Sequence, residues 1–169
     1  RSRIRFDELN KNLIDALIAT EDIRFREHSG IDARALLRAS FGALTGKKSS
    51  GGASTISQQL AKMLFTESPS SGLDRLMQKV KEWIIAVQLE KRYTKNEIIT
   101  MYLNRFDWVN NAVGIKSASQ IYFNKHPLNL SLLESAMLIG MLKNPALYNP
   151  NRRISQTESR RNVVLSQMR

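Results

Sequence analysis

Three features of the sequence predict an all-α fold. Apolar residues recur at helical spacing, four Ser/Thr-x-x-Glu/Gln boxes stand in phase with that spacing, and no alternating apolar–polar run is long enough for a useful strand. The chain of 169 residues fits one domain, and a hydrophobic content of 42 % supplies enough core to exclude native disorder. There is no internal repeat and no low-complexity tract.

The elements follow in order. Leu13, Ile14, Leu17 and Ile18 mark one face of a first helix. The segment from Gly46 to Ala53 holds three glycines, two serines and two lysines, and is expected to be a mobile loop. Thr55–Gln58 is the first capping box and opens a helix. Thr66–Gly72 is a second polar break, before a long helix from about Leu73 to Arg92. On a wheel at ~100° per residue, Leu73, Leu76, Met77, Val80, Trp83, Ile84 and Val87 form a broad stripe, which predicts its buried side. Ile85, Leu89 and Glu82 lie opposite, so Glu82 reads either as part of a polar face or as a carboxylate needing a partner, a ligand or solvent. Thr94–Glu97, Ser131–Glu134 and Ser155–Glu158 then announce three more helices.

Composition narrows the chemistry. No cysteine is present, which removes disulfides, thiolate zinc sites and cysteine nucleophiles; with only His28 and His126, a multi-histidine metal centre is excluded as well. Lys and Arg number 26 against 15 Asp and Glu, a net charge of +11, which points to an anionic partner: nucleic acid, an acidic membrane surface or a phosphate-bearing substrate. The basic residues are scattered and no recognition helix is evident, which argues against nucleic acid. No apolar stretch approaches the ~18 residues that span a membrane. Without an initiator methionine or a signal-peptide pattern, the chain reads as a segment of something larger, with a membrane anchor or a further domain expected outside it.

Two constellations could carry chemistry. Glu21-Asp22-x-x-Phe25-x-x-His28-x-Gly30-x-Asp32 names three acidic groups and a histidine within twelve residues after an apolar helix face, ending near a glycine suited to a cap or turn. Its bland alternative is a helix end with satisfied polar side chains. From Gly51 to Lys62 a glycine-rich loop runs into a helix on which Ser54, Gln58 and Lys62 share a stripe. A helix start with unpaired N–H groups and a cation eight residues on suits an extended anion such as a diphosphate. The P-loop pattern is absent, and a solvated polar face is the alternative.

Taken together, the segments resemble the peptidoglycan glycosyltransferase domain (glycosyltransferase family 51) of bifunctional penicillin-binding proteins and monofunctional transglycosylases. The acidic motif is matched in full from Glu21 to Asp32, and the Gly-Ala-Ser-Thr-Ile-Thr-Gln-Gln-Leu-Ala-Lys element at Gly52–Lys62, with Ser57 for the second Thr. Further elements match at Gln78–Glu82, Lys95–Asn104, Tyr122–Lys125, Leu130–Glu134, Gly140 and Asn149-Pro150. The resemblance covers nearly the whole chain.

It implies a lysozyme-like, two-lobed helical domain over residues 1–169, with a cleft between the lobes, a smaller membrane-facing lobe and the 46–53 loop as a flap. The activity implied is polymerisation of lipid II: the GlcNAc 4-hydroxyl of one substrate attacks the MurNAc anomeric carbon of the growing chain, undecaprenyl diphosphate leaves, and the configuration inverts. Glu21 is then the general base. Glu82 is the second catalytic glutamate, assisting the diphosphate end through a divalent cation (magnesium or manganese) or neighbouring cations, or orienting the donor. No organic cofactor is implied. Asp22, Phe25, His28, Ser54, Gln58, Gln59, Lys62, Arg75 and Lys79 are implied to bind substrate. Two positions depart from the family pattern: Asp74 stands where an arginine is usual, with Arg75 beside it and on the same helix face as Glu82, and Gln78 replaces another arginine. The implied partners are lipid II, the nascent glycan and the outer face of the bacterial cytoplasmic membrane, with a transmembrane anchor and a transpeptidase domain elsewhere in the protein, and no nucleic acid. A lysozyme-like hydrolase is the nearer rival, because fold alone does not separate synthesis from cleavage.

Overall fold

The computed structural model describes residues 3–45, 52–65 and 71–169. The proposed flap residues 46–51, and residues 66–70 of the second break, lie outside the described residues. Among the described residues there are eight α-helices, two short 3-10 turns and no strand, as the sequence predicts. The helices are α1 (Lys11–Glu21), α2 (Ala33–Thr45), α3 (Ile56–Phe65), α4 (Gly72–Arg92), α5 (Lys95–Arg105), α6 (Ile115–Phe123), α7 (Leu132–Met141) and α8 (Ile154–Gln167).

The capping boxes are realised unevenly. At Thr94–Glu97 and Ser131–Glu134 the hydroxyl accepts the N3 amide while the glutamate accepts the N-cap amide. At Thr55 half the box forms: its Oγ1 accepts the Gln58 N–H at 3.1 Å, but the Gln58 side chain donates elsewhere. The Ser155–Glu158 box does not form. Helix α8 starts at Ile154, with Arg153 as N-cap, and Ser155 already lies inside the first turn.

The chain divides into two compact units, residues 1–20 with 103–169, and Glu21–Tyr102. In the first, Leu13, Ile14, Ala16 and Leu17 of α1 are buried and α7 packs along α8. Trp108 is fully buried, its indole N–H donating to the Leu138 carbonyl at 2.9 Å. The Asn104 side chain both accepts from and donates to the Ile4 backbone, each at 2.9 Å.

The second unit holds α2, α3, α4 and most of α5, with α3 packed on α4. It overturns the wheel reading of the long helix. Leu73, Leu76, Met77, Val80 and Ile84 are exposed, Leu73 by 78 %, whereas Glu82, Ala86 and Leu89 are the buried positions. The reason is a close backbone approach on the face of small and polar residues. Gly30, at φ +99°, sits against Ala86 and Val87 so tightly that a Cβ there would lie 2.9 Å from their backbone atoms. Periodicity located an apolar stripe correctly but could not say whether protein covers it.

Candidate active site

All the sequence-predicted site residues belong to the unit Glu21–Tyr102. Glu21 is the last residue of α1, and the chain then turns through Asp22–Asp32. Asp22 is buried. Its carboxylate faces the His28 Nε2 at 2.9 and 3.0 Å and accepts the Ile56 N–H at the start of α3 at 3.1 Å. His28 Nδ1 accepts the Gly30 N–H at 3.2 Å, so the imidazole carries its proton on Nε2 and donates it to Asp22. Phe25 has no exposed surface. The Lys95 ammonium lies 4.3 Å from its ring centroid, donates to the His28 carbonyl at 2.6 Å and pairs with Glu90 at 2.7 Å. Glu90 also accepts the Ser57 hydroxyl at 2.5 Å.

These contacts give three residues implied to bind substrate a structural task. Phe25 is fully buried, and Asp22 and His28 are hydrogen-bonded to each other, with Asp22 also joined to α3. The three residues hold the turn that delivers Glu21. Asp32 completes it, accepting from the Arg24 Nε at 3.0 Å and from the Ala35 N–H at 3.0 Å at the start of α2. Burial alone would push the Asp32 carboxyl up, but the Arg24 hydrogen bond, the Ala35 amide and the Arg24 charge outweigh it and hold it below the usual range.

The Glu21 carboxylate accepts a hydrogen bond from the Gln59 side-chain amide at 2.9 Å, and the Gln59 oxygen in turn accepts from the Tyr102 hydroxyl at 2.9 Å. Gln59 also lines a cavity of about 460 Å³, together with Ser54, Gln58, Lys62, Arg75, Gln78, Lys79 and Glu82. Arg75 and Glu82 thus share this wall, as their seven-residue spacing on α4 predicts. Glu82, only 5 % exposed, accepts from Lys79 at 3.0 Å and from Gln78 at 3.3 Å, and Lys79 also donates to the Ser54 hydroxyl at 2.7 Å.

The α3 start contributes differently from the expectation. Its Ile56 and Gln58 amides already donate to the Asp22 carboxylate and the Thr55 hydroxyl, so these two backbone donors are taken within the protein. Gln58 is buried rather than solvated; its amide donates to the Gly30 carbonyl at 3.3 Å, and its own oxygen is buried without a partner. What the cavity offers an anion is its side chains: among the described residues, the cations Lys62, Arg75 and Lys79 against the carboxylate of Glu82. That set does not fit a resident divalent cation. Among the described residues Glu82 is the single carboxylate lining it, and its two oxygens already accept from Lys79 and Gln78. Among the described residues no group of three or more metal-ligating side chains gathers anywhere.

Sequence reasoning missed Glu90, Lys95 and Tyr102. Lys95 and Tyr102 stood inside a recognised motif, but nothing in their spacing showed that they reach the Phe25 ring and the Gln59 amide.

The helical unit joins an acid-bearing turn to a cavity lined by Lys62, Arg75 and Lys79, and the comparisons place the chain among transglycosylases. The transglycosylase family model matches residues 1–169, and the chain belongs to that family. It is 40 % identical to penicillin-binding protein 1A of Vibrio cholerae over 168 residues, and 40 % identical to penicillin-binding protein 1A of Escherichia coli, in each case over 99 % of this chain. It is 39 % identical to penicillin-binding protein 1F of Bacillus subtilis. The chain spans about a fifth of the length of these relatives (20 %, 19 % and 23 %).

Proposed function

We propose that this chain is a peptidoglycan glycosyltransferase that polymerises lipid II into β-1,4-linked glycan, with inversion at the MurNAc anomeric carbon and release of undecaprenyl diphosphate. One observation carries the reading: Gln59 both holds Glu21 and lines the cavity of Lys62, Arg75 and Lys79. A base and an anion-holding pocket therefore share a wall.

The chemistry divides between the two ends. Glu21 takes the proton of the incoming 4-hydroxyl as its oxygen bonds to the anomeric carbon. The bond from that carbon to the phosphate oxygen breaks, and its electron pair leaves on the diphosphate, whose charge Lys62, Arg75 and Lys79 stabilise. Glu82 holds Lys79 in place against Ser54. Such a leaving group needs cations and no proton donor. Hydrolysis of finished glycan expels a sugar alkoxide and calls for a carboxylic acid beside it. Glu82, with its oxygens turned to Lys79 and Gln78, is poorly disposed for that work.

The location proposed is the outer face of the bacterial cytoplasmic membrane, within the cell envelope. No helix among the described residues is long and apolar enough to cross a membrane, so we assign anchoring to a segment outside this chain and surface contact to this one. The exposed apolar residues of α4, with Leu37 and Phe41 of α2 in the same unit, support contact with lipid, and the net charge of +11 favours an anionic surface. A transpeptidase domain elsewhere in the protein belongs to the same reading.

Supplying lipid II or finished glycan to the purified protein tests it. Polymer from lipid II, with no fragments from glycan, is the expected result; fragments without polymer would assign the chain to hydrolysis.

A further inference from the structure

Tyr102 lies on α5, and its side chain is fully buried. Its hydroxyl donates to the Gln59 oxygen at 2.9 Å, and the Gln59 amide donates to Glu21 Oε2 at 2.9 Å. We propose that Tyr102 is a positioning residue for the transfer reaction: acting through the Gln59 amide, it fixes where the Glu21 carboxylate stands when it receives the proton. The inference rests on the reading of Glu21 as the base.

The argument turns on the asymmetry of an amide. A carboxamide swings between two orientations of similar intrinsic energy, and only one of them presents N–H to Glu21. In the other, the amide oxygen would face a carboxylate oxygen, lone pair against lone pair. A donor on the far side of Gln59 selects the productive orientation, and the Tyr102 hydroxyl is that donor. It remains one across the working pH range, because burial, seconded by the negative charge of Glu21, pushes the phenol well above its ordinary range. Gln58 and Leu60, which flank Gln59 on α3, are buried, and α3 packs on α4, so the backbone carrying the amide is held as well. The relay therefore has a rigid mount at each end: α5 beneath the phenol and α3 beneath the amide. Placing the base within a fraction of an ångström matters, since a misplacement of about 1 Å can cost ~10²-fold in rate.

Removing the hydroxyl leaves the Gln59 oxygen without this donor and frees the amide to turn. Tyr102→Phe should thus lower kcat by about 10- to 100-fold with KM for lipid II nearly unchanged, because the contact it supports is made in the transition state. The decisive measurement is a cycle of Tyr102→Phe, Gln59→Leu and the double variant in the intact protein, with Glu21→Gln assayed alongside. If Tyr102 works through Gln59, the Phe substitution changes kcat by less than about twofold once Gln59 is Leu. A packing role would instead multiply the two losses and would lower the melting temperature in proportion. Multiplied losses, or a parental kcat for Tyr102→Phe while Glu21→Gln is inactive, overturn the proposal and leave the base intact. A parental rate for Glu21→Gln removes both. Should Tyr102→Phe fail to fold, Gln59→Asn replaces it: the amide, one methylene shorter, cannot meet both neighbours. A kcat reduced as far as that of Gln59→Leu is then expected, and a parental kcat overturns the relay.

Discussion

Glu21 and Glu82 are chemically identical side chains in one compact unit, and their neighbours separate their work. Glu21 receives a neutral amide donor, which orients it while leaving a carboxylate able to take a proton. Glu82 receives an ammonium and an amide, and serves to set Lys79. In the proposed reading, the cations beyond it stabilise the leaving group. Lys62→Ala should therefore weaken donor handling by about tenfold, the scale of one hydrogen bond to a charged group. An unaltered KM for the lipid-linked donor would count against that role. At this scale the sequence was informative about which residues assemble and weak on what each one touches. Ser54, Gln58, Lys62, Arg75 and Glu82 line one cavity: helical spacing grouped the first three and the last two, and only the family resemblance implied that the groups meet. Phe25 could not be told from a contact residue, because a motif records that a side chain is required and not which way it faces.

Among the elements, α4 and α2 show where local signals stop. The apolar stripe of α4 was legible, but its exposure depends on Gly30 meeting Ala86 on the opposite face, a contact between residues more than fifty positions apart. Helix α2 was hidden differently. Its capping residue, Asp32, stands within the acidic motif, and its carboxylate serves the helix start and Arg24 at once. That double use has a pH signature. The folded-state pKa of Asp32 lies below its unfolded value, so its contribution is complete above the unfolded pKa, about 3.9, and is lost as pH falls through the folded one. Melting temperature should hold from neutral pH to about 5 and decline below about 4. Asp32→Asn should lower stability at pH 7 by about 2 kcal/mol and flatten that decline. An unchanged slope in the variant would show that other carboxylates govern it.

For the molecule as a whole, charge and exposed apolar surface point the same way. A chain with 26 basic residues and an α4 face of Leu73, Leu76, Met77, Val80 and Ile84 has the two attractions that hold a protein on an anionic bilayer. Replacing Leu73, Leu76 and Met77 with serine should weaken binding to anionic vesicles at least tenfold, since each side chain withdrawn from lipid loses about 1.5 kcal/mol or more. Vesicle affinity equal to that of the parent would place the membrane contact elsewhere. In the proposed reading that surface brings the lipid-linked substrate to the protein, and Glu21 turns it over. The most direct test is the rate of glycan polymer formation from lipid II by Glu21→Gln beside the parent, both confirmed folded by their melting temperatures. The account predicts a loss of at least ~10²-fold, the low end for removing a general base, and a rate close to that of the parent would contradict it.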